Sequence, residues 1–233
     1  MQFVANGTRT PFVSLQWIHN HLPETNMKAL ILAAVLSLVS VTANADEQVR
    51  SVSPFKGIAV HGPVSLVVEA GKSYSLRVQG DPRFIERVTS EVVDGELRLD
   101  MKDSTRNSLK SSDRVVVTLP SLQTFKGEGA GEMRLTNVRG ERLDVNYRGA
   151  GRLAIDGEVR ELRLSAQGVG EVDTKALVAQ DANVSFEGIG SVNIYARDKL
   201  NANVRGMGNL TYYGNPRVVN KSVSGIGSVV AAK

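Results

Sequence analysis

From Val52 onward, apolar and polar residues alternate with a period of two over most of the chain. In the C-terminal half the apolar series runs Leu143, Val145, Tyr147, then Leu162, Leu164, Ala166, then Ala182, Val184, Phe186, then Leu200, Ala202, Val204. Further pairs follow each trio: Leu153 and Ile155, Val172 and Thr174, Val192 and Ile194, Leu210 and Tyr212. A period of two is that of a β-strand, whose successive side chains point to opposite faces. The residues between them, including Asp144, Asn146, Arg163, Ser165, Asn183, Asn201 and Asn203, predict a solvated outer face.

Between each trio and the pair that follows it stand two glycines with one residue between them. The six copies are Gly129 and Gly131, Gly149 and Gly151, Gly168 and Gly170, Gly188 and Gly190, Gly206 and Gly208, Gly225 and Gly227. Their first glycines are 20, 19, 20, 18 and 19 residues apart. A near-constant interval marks an internal repeat. One unit of two short strands cannot bury its apolar face alone, whereas stacked units bury one another's. The expected fold is therefore all-β: a parallel β-solenoid or β-helix of GxG-containing coils, with neighbouring strands about 4.8 Å apart.

The segment 46–122 is strand-rich without the repeat. IAVHG, SLVVEA, YSLRVQG, ELRLDM and DRVVVTLP read as strands, separated by turn signals at Gly62-Pro63, Gly71-Lys72 and Asp94-Gly95. Asp81-Pro82 reads as a helix N-cap followed by proline at the first helical position. Lys102–Asp113 reads as a polar loop. This half is expected to cap the repeat part, 123–233, within one domain.

The first 45 residues are excluded from that fold. Met27-Lys28, the apolar run Ala29–Val41 and Ala43-Asn44-Ala45 give the charge, apolar segment and small-residue site of a signal peptide cleaved after Ala45. The apolar run falls short of the roughly 20 residues that span a membrane. Residues 1–26 read as an upstream leader ahead of the true start at Met27. The mature protein is expected to be periplasmic or secreted to the cell surface.

Removing Arg9, Lys28 and Glu24 with those 45 residues reduces the chain's 28 basic and 24 acidic residues to 26 and 23, a net charge of +3. The charges are interspersed, which gives no footprint for nucleic acid. The chain contains no cysteine, which excludes disulfides and zinc-thiolate sites.

Four stretches carry a resemblance to a known family: FKGIAVHGPVSLVVEAG, YSLRVQGDPRFIERVTSEVVDGELRL, VVVTLPSLQTFKGEGAGEM and the serial GxG units, from about Val52 to Val230. Together they resemble a family of exported bacterial proteins described as "putative auto-transporter adhesin, head GIN domain". The resemblance implies a β-rich exported domain, held at the cell surface in relatives, and brings no catalytic residues with it.

Candidate chemistry is sparse. His61 is the one histidine after the leader, and beside Gly62-Pro63 it reads as a turn or strand-end residue. No metal site or cofactor is expected: the position after the second glycine holds Glu132, Arg152, Glu171, Ser191, Asn209 and Ser228, not a repeated aspartate. A carbohydrate-active lyase or hydrolase on a β-helix would draw on Asp156, Glu158, Glu171, Asp173, Glu187, Arg197 and Arg205, which form no common column. The favoured reading is a non-enzymatic domain for adhesion, binding or envelope structure, with an envelope protein or glycan as partner. A self-associating structural protein is the other alternative.

Two surfaces are candidates for binding. The residues between the glycines, Ala130, Ala150, Val169, Ile189, Met207 and Ile226, have outward parity and form an exposed apolar ladder if alternation continues through the glycines. If the glycines make a bend, the same side chains turn inward, and this second reading is preferred because repeated glycines commonly serve bends. Tyr195 and Tyr213, each seven residues after a first glycine, stack on adjacent units as a binding platform or as a structural pair, the pair being preferred.

Overall fold

The computed structural model describes residues 46–101 and 112–232. The leader, the signal peptide and most of the polar loop lie outside the described residues. The strands are β1 (Asp46–Arg50), β2 (Gly57–His61), β3 (Leu66–Ala70), β4 (Ser75–Gly80), β5 (Val88–Val93), β6 (Glu96–Met101), β7 (Arg114–Leu119), β8 (Thr124–Tyr213) and β9 (Val218–Ala231). A single short helix among the described residues, α1 (Pro82–Arg87), lies between β4 and β5. The fold is nearly all β, one sheet that does not close, in the order β1-β4-β7-β3-β8-β2-β6-β5 with β9 on β8.

At about 3.3 Å per residue, the 90 residues of β8 would reach roughly 300 Å if straight. Instead the units lie against one another. A Cβ built on Gly149, Gly168, Gly188, Gly206 or Gly225 would overlap the carbonyl oxygen of the first glycine one unit earlier. The second glycines Gly151, Gly170, Gly190 and Gly227 meet their predecessors in the same way, while at Gly208 the added atom would strike the Phe186 ring. β9 continues the pattern in parallel, with Gly225 opposite Gly206 and Gly227 opposite Gly208. Side chains keep the same spacing: the Asn201 Nδ2 donates to Asn183 Oδ1 at 2.6 Å and the Thr174 hydroxyl to the Asn193 carbonyl at 3.0 Å.

The alternating apolar series is the core. Leu143, Val145, Tyr147, Leu153, Ile155 and their counterparts up to Leu210 are buried in one cluster that also takes in Phe55, Ile58, Leu66, Leu97 and Leu99. The two halves are joined by pairing. β2 runs parallel to Thr124–Glu128 and β3 parallel to Met133–Thr136. Between them Gly62-Pro63-Val64 takes the place of a GxG unit: an added Cβ on Gly129 would overlap the Gly62 carbonyl, and one on Gly131 would lie 2.8 Å from that of Val64. The unit is hidden in the sequence because a buried valine stands where the second glycine would be.

The helix begins where the sequence places it. Asp81 Oδ1 accepts from the Arg83 amide at 2.9 Å, Pro82 opens the helix, and Phe84 and Ile85 are buried. The five strands read from 46–122 correspond to β2, β3, β4, β6 and β7. Two strands lay outside that reading. β1, DEQVR, lacks apolar alternation and is held by antiparallel pairing to β4. The Arg50 guanidinium reaches across from it to the Val88 carbonyl at 2.6 Å and the Ile85 carbonyl at 2.8 Å, and its burial lowers its pKa. β5 follows α1 directly and pairs antiparallel with β6.

Candidate binding face

The ladder between the glycines faces solvent, which corrects the preferred inward reading. Val169, Ile189, Met207 and Ile226 are 54%, 47%, 51% and 76% exposed, and Ala130 and Ala150 are exposed as well. The physical reason lies in the backbone. Gly168, with φ +129°, directs its missing side chain along the stack toward the previous unit, neither inward nor outward. The residue after it keeps the outward parity of its strand, so the chain bends without exchanging its faces.

The tyrosine platform is not assembled as a ring pair. Tyr195 and Tyr213 are half-buried, and the Tyr195 ring lies beside Gly214, where an added Cβ would be 2.7 Å from its Cε1. The ring pair among the described residues is Phe55 with Tyr74, at 5.3 Å between centroids. Arg197, two residues after Tyr195, donates to Glu158 Oε1 at 3.0 Å.

A concave surface appears elsewhere, on the outer face of the strand that leads into each GxG unit. It is a trough of about 630 Å³. It is lined by a column of small polar residues at matched positions in successive units, Asn146, Ser165, Ser185, Asn203 and Ser222. Asn183, Asn201 and Asn220 form a second column beside it. Their amides are linked in series, Asn220 Nδ2 to Asn201 Oδ1 at 2.9 Å and Asn201 Nδ2 to Asn183 Oδ1 at 2.6 Å. Such a row is oriented by its own hydrogen bonds and presents its unused donors and acceptors in fixed directions.

The two arginines along the trough are paired with carboxylates, and Lys221 also lines it. Arg142 forks onto Asp144, with Nε to Oδ2 and Nη2 to Oδ1 both at 2.8 Å, a hydrogen bond that raises the Arg142 pKa. Arg163 donates to Glu161 at 2.7 Å. The signal for this site was present in the sequence as Ser or Asn three residues before the last five of the first glycines and Asn five residues before the last three. It reads there as an ordinary solvated face, because concavity depends on how the units stack.

Several of the carboxylates available for hydrolytic chemistry are held by amide or basic partners. Asp156 accepts from the Asn137 amide at 2.7 Å, Glu171 and Asp173 both face Arg152, at 3.6 and 3.5 Å, and Glu158 faces Arg197. His61, at the end of β2, stands opposite Asp100 and Glu128 in register. Its Nδ1 is 3.2 Å from Asp100 Oδ1 and its Nε2 3.8 Å from Glu128 Oε2, in a row that is about half exposed. No group of three His, Cys, Asp or Glu among the described residues could hold a metal ion.

The family described as "Putative auto-transporter adhesin, head GIN domain" matches residues 54–216. No curated protein matches the chain. A crystal structure described as a putative adhesin from Bacteroides fragilis has a TM-score of 0.66 and 22% identity, over 82% of this chain and 98% of that one. A second, from Parabacteroides merdae, has a TM-score of 0.51 and 16% identity over the same shares. At these identities the likeness is one of fold. Family and structures alike are described as adhesins, not as enzymes. With 54–216 covering most of the chain, this protein belongs to the auto-transporter adhesin, head GIN domain family.

Proposed function

We propose that the protein is an exported, non-enzymatic adhesion domain, wound as a parallel β-solenoid, whose amide-lined trough binds an extended glycan of the cell envelope. The observation that carries this reading is the Asn183-Asn201-Asn220 row beside the column of Ser and Asn. Neutral amides and hydroxyls at regular heights match a polyhydroxylated chain, which offers donors and acceptors repeatedly along its length. An open trough whose arginines are both held by carboxylates suits a neutral ligand, bound by several modest hydrogen bonds and bridging waters. Repeat proteins commonly use such regular extended surfaces for binding.

Export is supported by the signal-like segment 27–45 and by the adhesin family. N-terminal sequencing of the protein from a cell fraction should begin at Asp46, and a start at Met1 would overturn cleavage. A protein partner on the ladder is the second reading, supported by the exposure of Val169, Ile189 and Met207.

The test is calorimetric titration of the purified protein with soluble envelope glycan fragments. Ser185→Trp, which places a bulky ring in the trough, should abolish binding while leaving the circular dichroism unchanged. Binding equal to wild type would place the ligand elsewhere. New reducing ends or unsaturated sugars after incubation would favour the enzyme alternative.

A further inference from the structure

We propose that β9 is a self-association strand: two copies of this chain pair their β9 edges antiparallel, about a two-fold axis at Ile226. β9 pairs with β8 from Val218 to Ala231, and among the described residues no other strand lies on it. An unpaired edge of 14 residues is a template for another strand. What that strand is can be read from the sequence of the edge.

Val223–Val229 reads VSGIGSV, the same in both directions. In a two-fold contact, residue i meets j while j meets i, so a palindrome is the self-complementary sequence for an antiparallel edge. With Ile226 on the axis, Val223 meets Val229, Ser224 meets Ser228, Gly225 meets Gly227 and Ile226 meets its own copy. Beyond the palindrome, Lys221 meets Ala231, which keeps the two lysines from facing each other. Two other units are symmetric over five residues only, Glu128–Glu132 and Arg148–Arg152, and both have neighbouring units on either side. The seven-residue palindrome thus falls on the unit whose edge is open.

Exposure points the same way. Ile226, on the proposed axis, is 76% exposed, and Val223 is 41% exposed. Directly opposed residues of an antiparallel pair share a face, so the two Ile226 side chains would cover each other. Lys221 Nζ donates to the Val229 carbonyl at 3.2 Å, an inward charge that guards the edge in the single chain. Pairing is therefore concentration-dependent.

Because the chain has no cysteine, single-cysteine variants of the full chain report the register directly. Opposed Cα atoms about 4.5–5.5 Å apart lie within disulfide reach. Ile226→Cys should form a disulfide-linked dimer under mild oxidation at least about tenfold faster than Val169→Cys, an exposed residue of the same ladder, since pairing raises the local thiol concentration. Ser224→Cys alone should cross-link slowly, and a mixture of Ser224→Cys with Ser228→Cys quickly. In sedimentation, the wild type should gain mass with concentration and Ile226→Asp, with like charges on the axis, should remain a monomer. Equal rates for Ile226→Cys and Val169→Cys, rapid self-linking of Ser224→Cys, or a wild-type monomer at all concentrations would each overturn the proposal.

Discussion

Replacing Gly168 by alanine tests the contact between units that the fold depends on. The added Cβ would overlap the Gly149 carbonyl oxygen, well under the 3.0 Å that Cβ atoms respect, at a backbone φ of +129°. A side chain in that region of φ costs about 1–3 kcal/mol. Relieving the overlap pushes one unit away from the next, and losing one or two backbone hydrogen bonds there costs about 0.5–1.5 kcal/mol each. The expected loss is on the order of 2–5 kcal/mol, read as a lower urea midpoint at unchanged m. In a domain of this size that lowers Tm by roughly 5–20 °C, at about 2–4 °C per kcal/mol. Gly95→Ala is the control: its φ is +74° but an added Cβ meets nothing within 4 Å, so only the conformational cost of about 1–2 kcal/mol remains. A Gly168→Ala loss no larger than that of Gly95→Ala would refute close stacking of the glycines.

Other predictions concern single side chains. Tyr147 is buried with no hydrogen-bond partner for its hydroxyl, and burial pushes its pKa up. Tyr147→Phe should therefore keep or raise stability, by up to about 1–3 kcal/mol, and a clear loss in denaturant titration would mean that the hydroxyl is bonded. Ile189→Ser, on the exposed ladder, should change stability by less than about 0.5 kcal/mol, and a loss of several times that would return Ile189 to the core. The Asp198 carboxylate is held below its ordinary pKa chiefly by the Gln180 amide, 2.9 Å away, and also by Arg217. Because the folded value is the lower one, its stabilising contribution is present above the unfolded carboxylate range and is lost as pH falls through the folded value. Gln180→Ala should raise the Asp198 pKa in an NMR titration, and an unchanged pKa would remove the amide as the main cause.

The glycine interval was legible because the contact behind it recurs: each of the six GxG units supplies two residues without a Cβ at the same height. The apolar trios and pairs were legible for the same reason, since parity is a property of one strand. What the chain concealed is non-local or depends on relative size. Gly62-Pro63-Val64 occupies the place of a GxG unit, yet its partner Gly129 is 67 residues away and its second glycine is a valine. His61 gives no hint that Asp100 and Glu128 flank it, because β2 meets β6 and β8 only in the folded sheet. The outward ladder runs against the inward expectation because a bend at the glycines does not change the face: Gly168 turns its open side along the stack. The trough needed the heights of several units at once.

Glycan binding in the trough is tested most directly by following side-chain NMR signals while soluble envelope glycan fragments are added to the protein. The Asn183, Asn201 and Asn220 amide signals should move together with one saturation curve, while the Val169 and Ile189 methyl signals stay in place. Shifts confined to the ladder methyls, or no saturable shift at the three amides with any envelope glycan, would contradict a glycan-binding trough.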